Sequence, residues 1–400
     1  MFRRALILAG IFLGFQLPLK AQLVNTGEKL VVETGALLFI EKDYHHVGGS
    51  ILNMGKISLQ GDWDNQDVSG VFDARSVGSV LLSGNNQKIT GTAFTVFPNL
   101  ILSGAGDKIL QADTRVKGVL NLNDRNLSIS DFSLSILNPQ PDALLRSSGF
   151  ISVGKQGKLI RATNSVSPYV FPLGAVTGSG TVYRPIIIEP TDSQINTFSA
   201  AFEYADPSQS GFDRLSKRPE VQAVFDKYFY LLDQPTGSSE VQIRFYQNKQ
   251  EDSDFNGLVN WTGKRLWEHV SPLTLADGSY GDGLNHQISY SSTQTIKNQP
   301  FTLATILEDV DPFIFYNAFS PDGDGKNDTW TIKNIEFYPE NDLTIFNRWG
   351  DVIFKSKGYS NNNAWDGSNL NPGTYFYVLN ANVNGIKKTY KGFITMLRKN

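Results

Sequence analysis

The sequence predicts an all-β, modular protein, and three observations carry that reading. Glycine (36 residues) and aromatics (12%) are plentiful, while long runs of Ala, Glu, Lys and Leu are absent. Short alternating apolar segments recur, each closed by a residue that favours a turn. Any helical spacing is confined to 221–232, where Tyr228-Phe229-Tyr230 suits a strand equally well. A chain of 400 residues has room for two or three domains, each with a core of its own.

Charge and cysteine content remove several function classes. With 36 Lys+Arg against 39 Asp+Glu, the formal net charge is −3. The chain therefore lacks the broad positive field of a nucleic-acid or anionic-membrane binder, and no nucleic-acid partner is expected. No cysteine is present, which excludes disulfides, thiolate metal sites, cysteine nucleophiles and a lipidated amino-terminal Cys.

The first element is an address. Phe2-Arg3-Arg4 is followed by an apolar stretch over 5–19, broken by Gly10, Gly14 and Pro18, and then by Lys20-Ala21-Gln22. This has the form of a Sec signal peptide over 1–21, with a mature chain starting at Gln22. An apolar core of roughly 15 residues is short for a membrane span of ~20. No later stretch is apolar enough to cross a bilayer, so no transmembrane segment is expected in the mature chain.

Residues 22–140 show a repeat. Ile57-Ser58-Leu59-Gln60-Gly61 is followed by Val80-Leu81-Leu82-Ser83-Gly84, Leu100-Ile101-Leu102-Ser103-Gly104 and Leu120-Asn121-Leu122-Asn123-Asp124, at intervals of 23, 20 and 20 residues. A period near twenty with several strand-like pieces per unit suits a β-solenoid, in which each coil stacks on the next. An ordinary antiparallel domain with evenly spaced turns is the alternative. Over 141–305 the period is lost, strands such as 240–246 alternate with Gly-rich turns, and a β-sandwich is expected. The charged, Pro-ended stretch at 306–312 reads as a linker. Residues 313–400 then hold about seven short strands, the pattern of a small immunoglobulin-like β-sandwich.

This last unit carries specific motifs. Ser320-Pro321-Asp322-Gly323-Asp324-Gly325-Lys326-Asn327-Asp328-Thr329-Trp330 opens it, and Ile345-Phe346-Asn347-Arg348-Trp349-Gly350 follows. Ala364-Trp365-Asp366-Gly367, Gly373-Thr374-Tyr375-Phe376-Tyr377-Val378 and Lys391-Gly392-Phe393-Ile394-Thr395 complete the series. In this order they resemble the gliding motility-associated carboxy-terminal domain, the type B sorting domain of the Bacteroidetes type IX secretion system. One departure is Asp322, where the family more often has Asn. The resemblance implies export through Sec, capture by the type IX translocon as partner, and release to the cell surface or medium. It implies that sorting information lies on the folded domain, with Lys387, Lys388, Lys391, Arg398 and Lys399 as a candidate basic signal. It is silent about 22–305.

Other constellations give candidates of their own. Asp322, Asp324, Asn327 and Asp328 place several oxygens in one Gly-loosened turn, a candidate Ca²⁺ site and the one cofactor considered. Asp and Asn bonding to the local backbone explain the same pattern without an ion. Trp261, Trp267, Tyr280 and Tyr290 lie in a polar stretch and are candidate glycan-stacking residues, although core packing is the commoner use of such side chains. His45 and His46 are adjacent, so on a strand they point to opposite faces and do not share a metal. No Gly-x-Ser-x-Gly or His-Glu-x-x-His motif is present. Glu251, Asp252, Asp254 and Glu268 are the acids available to a glycosidase.

The expectation is an exported surface protein, not an enzyme, whose passenger is an adhesion, binding or structural module for an extracellular glycan or surface protein. The alternative is a secreted hydrolase or lyase acting on a polysaccharide.

Overall fold

The computed structural model describes residues 22–252, 255–307, 311–383 and 385–398. The expected signal peptide over 1–21, Asp254 and Lys399 lie outside these residues. Strands make up 51% of the described residues and helix 5%, so the all-β expectation holds. The described residues form two compact units, one of 22–205, 228–252 and 272–300, the other drawn from 206–227, 255–271 and 301–398.

The first unit begins as a three-faced parallel β-solenoid of about seven turns. On one face Leu37–Ile40, Lys56–Leu59, Ser79–Leu82, Leu100–Leu102, Leu120–Asn121 and Leu144–Leu145 stack in parallel. Ile57 lies opposite Val80, Val80 opposite Leu100 and Leu100 opposite Leu120, so each sequence interval is one coil. A second face runs from Leu23–Val32 through Trp63–Asn65 and Lys108–Leu110 to Leu173–Thr177. The third holds Thr95–Phe97, Thr114–Val116, Ser133–Ile136 and Lys158–Thr163.

Short strands suffice because each needs to bury only alternate side chains. Leu100 and Leu102 are inside, as are Leu110, Val116 and Leu120, and each such side chain contributes roughly 1.5–3 kcal/mol by leaving water. Near the amino-terminal end the interior is aromatic, with Trp63 stacked on Phe72 at 5.6 Å and tilted against Tyr44 and Phe97. The Ser-Gly ends of the repeats form a tight corner. A Cβ on Gly84 would lie 1.9 Å from the Gln60 carbonyl oxygen, so only glycine fits there.

The parallel stack continues beyond 140, where the sequence pattern placed its end. Ile151 lies opposite Leu173, and only then does pairing turn antiparallel, with Lys158–Thr163 against Asn196–Glu203 and Leu173–Thr177 against Gly180–Tyr183. The later coils carry longer corners, with Leu120 opposite Leu144, so the spacing drifts while the pairing persists.

Past this point two antiparallel sheets face each other. One contains Tyr169–Phe171, Ile186–Pro190, Val241–Gln247, His286–Ser292 and Leu273–Asp277. The other includes Asn196–Glu203 and Phe229–Thr236. Tyr230 of the second meets Phe245 of the first at 5.3 Å, with Phe202 and Tyr228 beside it.

In the second unit, Gly257–Trp261 pairs with Trp267–His269 and with residues 301–304, and Val221–Val224 pairs with 304–306. The carboxy-terminal part is a five-stranded sheet in the order Ala318–Phe319, Ile386–Met396, Gly373–Val383, Asn341–Phe346, Val352–Lys357, with the pair Ile314–Phe315 and Ile332–Lys333 beside it. Its core is aromatic, as the lack of cysteine requires. Trp330, Trp365, Tyr359 and Tyr377 are buried, and Tyr377 lies 4.9 Å from both Trp330 and Phe315. Within this unit Arg218 donates to the Phe337 carbonyl at 3.0 Å and lies over the Phe337 and Tyr338 rings, while Tyr338 donates to Glu220 at 3.3 Å.

Candidate functional site

The acidic loop of the carboxy-terminal domain is built from its own backbone. Gly323 and Gly325 adopt φ of 79° and 80°, and Asn327 one of 55°, all left-handed. That path lets the Gly323 and Gly325 amides donate to the two Asp328 oxygens at 2.7 and 2.8 Å, and Lys326 N donate to Asp324 at 2.8 Å. The Asn327 carbonyl accepts from Ser320 N at 2.8 Å, closing the loop. Oxygens of Asp322, Asp324 and Asp328 all lie within 4.8 Å of one another. Asn327 thus shapes the turn, and the three aspartates supply hard oxygen donors of the kind Ca²⁺ takes.

The candidate basic residues do not form one patch. Along Ile386–Met396, Lys387 and Lys391 are exposed on the outer face, whereas half-buried Lys388 points the other way. Arg398 donates to the Ser368 carbonyl. Lys387 and Lys388 line an open groove of about 680 Å³ with Glu340, Asp342, Lys357 and Asn380.

The four expected glycan residues are divided between the two compact units. Trp267 is fully buried, donates to the Phe212 carbonyl at 3.3 Å and packs with Val221, Val259 and Ala304; it is a core residue, which corrects its assignment to a binding face. Trp261 is half-buried edge-on against Trp267 and Phe212. Tyr280 and Tyr290 belong to the other compact unit.

Tyr280 does help form a cleft there that the sequence did not reveal. About 200 Å³ in volume, it is lined by Tyr183, Tyr246, Tyr280, Arg146, Asp282 and neighbouring apolar side chains. Tyr280 packs edge-on against Tyr246 at 5.1 Å. The Arg146 guanidinium lies 4.2 Å over the Tyr183 ring and pairs with Asp282 at 3.0 Å. Burial pushes Tyr183 up to about 12, so its hydroxyl keeps its proton at neutral pH. These residues come from separate strands and turns, so no local motif announces them.

The acids considered for hydrolysis have structural partners. Asp252 is buried and accepts two hydrogen bonds from Arg184, at 2.7 and 2.8 Å, and Glu251 accepts a third at 2.7 Å. Burial opposes the charge on Arg184, but these carboxylates outweigh it and raise its pKa. Glu268 pairs with Lys264. His45 bonds Asp64 and buried His46 bonds the Tyr44 hydroxyl, on opposite faces of their strand.

An all-β passenger followed by a β-rich, aromatic-cored carboxy-terminal domain is thus the class of molecule in hand. Residues 313–396 match the family model of the CHU_C type IX secretion signal domain. No curated protein and no solved structure matches the chain. The match makes this segment the signal through which the chain engages the type IX secretion system for export to the cell surface or extracellular space. Among the described residues no helix is long and apolar enough to cross a membrane.

Proposed function

We propose that residues 22–305 form a non-catalytic passenger, an adhesin-like or structural surface that the type IX signal carries to the cell exterior after Sec export. The tyrosine cleft supports this reading best. Tyrosine rings present faces on which a pyranose stacks, and the Arg146–Asp282 pair offers a donor and an acceptor for neighbouring hydroxyls. The glycan ligand proposed here is therefore held by Tyr183, Tyr246 and Tyr280 rather than by tryptophans. A screen of the folded full chain against a broad set of polysaccharides, with products followed in the same wells, tests it. Saturable binding without products, lost in Tyr280→Ala, is the expected result. Product formation would place the chain among hydrolases or lyases.

The acidic loop supports a second, smaller proposal, that Ca²⁺ sits among Asp322, Asp324 and Asp328. Three carboxylates held within 4.8 Å repel one another, and a bound cation relieves that repulsion. Millimolar Ca²⁺ then raises the Tm of the full chain and leaves that of Asp324→Asn unchanged. Equal Tm values for the native chain with Ca²⁺ and with chelator would remove the ion from the account.

A further inference from the structure

The outer face of the signal domain's sheet carries an apolar row that the fold does not bury. Register places Phe346 opposite both Val352 and Phe376, and Phe376 opposite Phe393, so the four cross four adjacent strands. Such a row spans roughly 14 Å. Val352 is 54% exposed, Phe393 51% and Phe376 46%, and Trp349, in the turn joining Phe346 to Val352, is 74% exposed. Single exposed apolar residues are ordinary, but a contiguous aromatic band on one sheet face marks an interaction surface.

The same motifs contribute to both sides of the sheet. Ile345, Tyr375, Tyr377 and Ile394 point into the core, while their neighbours Phe346, Phe376 and Phe393 point outward. The core accounts for the first set only.

Charge indicates what covers the second. The next row inward from the aromatic band is Lys355, Thr344, Val378 and Lys391, and beyond it come Lys357 and, further along the outer strand, Lys387. All four lysines are exposed, and among the described residues none of them makes an ion pair. Arg348 lies over the Trp349 ring at 4.6 Å, adding a cation beside the band. Half-buried Asp342, exposed Glu340 in the groove beside Lys357 and Lys387, and the turn residue Asp351 are the acids nearby; Glu340 accepts from the Asn382 side chain and Asp351 from that of Asn347. A second copy of this face brings the same excess of cations over acids, so it offers too few carboxylates to match the lysines.

The geometry points to this face as the surface by which the type IX secretion apparatus recognises the domain, through a protein patch that is apolar at its centre and carboxylate-rich at its rim. This inference rests on the type IX reading and adds to it the residues that are read.

The test uses the full chain in cells with a working type IX system. Phe376→Ser/Phe393→Ser and Lys355→Glu/Lys391→Glu are compared with the native chain and with a chain ending at 312. The readout is the ratio of exterior to periplasmic protein, with thermal unfolding of each purified variant as the check on folding. The aromatic double variant should keep its Tm and lose at least tenfold in export. Charge reversal should lose about threefold, and Lys355→Arg/Lys391→Arg should lose nothing. The chain ending at 312 should stay in the periplasm. If the folded aromatic variant is exported normally while the truncated chain is retained, the face is overturned and the signal assignment stands. If the truncated chain is exported, both fall. Should the double variant fail to fold, Trp349→Ser, at the most exposed position, replaces it with the same expected loss. Self-association that the aromatic variant abolishes without loss of export would make a second copy the occupant and overturn the proposal.

Discussion

In the solenoid, Leu100–Leu102 is three residues long and buries two side chains; in the signal domain, Gly373–Val383 is eleven residues long and contributes to a core built on Trp330 and Trp365. The solenoid's stability is a sum of similar small terms between neighbouring coils, so it extends by repetition. The signal domain packs large aromatic side chains and aliphatic ones into a single core and leaves its outer sheet face available for contact. A repeated structure is suited to presenting surface. A compact one with its own core is suited to acting as a folded token, read by shape.

The comparison breaks most visibly at Trp330, which is buried and donates through Nε1 to the Tyr316 carbonyl. Trp330→Ala removes about 3–5 kcal/mol from a core with few substitutes. Denaturant unfolding should show the signal domain's transition moving far to lower denaturant, with export lost alongside it.

A second large effect belongs to the solenoid and depends on pH. Lys108 is fully buried, and its Nζ donates to the Gly84 carbonyl, Gln87 Oε1 and the Ala105 carbonyl at 2.7, 2.8 and 3.2 Å. Burial, with the nearby Arg125 charge, pushes its pKa down to about 8. The unfolded chain therefore holds this proton more tightly than the folded one, and stability rises with pH between about 8 and 10.5. Below pH 8 the cost is present in full, on the order of 3 kcal/mol. The difference in stability between the native chain and Lys108→Met should change across that window; a difference that stays constant would show that Lys108 does not titrate there.

Glycine sharpens the contrast at smaller scale. Gly84→Ala drives a Cβ into the Gln60 carbonyl of the adjacent coil and should cost about 2 kcal/mol or more. Gly325→Ala meets no atom within 4 Å, and its cost is the left-handed backbone alone, about 1 kcal/mol. Paired denaturation curves rank the two, and a larger loss at Gly325 would contradict the packing account of the corner.

Legibility followed the physics of each region. The face carrying Ile57, Val80, Leu100 and Leu120 is readable because these stacked inward positions are aliphatic and its strands are followed by turn residues. The face carrying Tyr44, Trp63, Gln87 and Lys108 was not, because a polar and aromatic interior hides a period in plain hydrophobicity. The signal domain was readable through motifs whose residues lie close in sequence. Trp267 was misplaced because its surroundings in sequence are polar while its surroundings in space are Phe212, Val221 and Ala304. The tyrosine cleft had no local signature, since Arg146, Tyr183, Tyr246 and Tyr280 are brought together only by tertiary structure. Alternation in Tyr375-Phe376-Tyr377 showed that one side of the strand must face out, but with aromatics at all three positions it could not say which.

Residues 313–396 send this chain out through the type IX system. The most direct test is to follow the intact chain in matched cells with and without a functional type IX translocon, scoring accessibility to protease added outside. A protease-accessible or released protein is expected in the competent cells and a protected periplasmic one in the defective cells. Equal exposure in both would contradict export by this route.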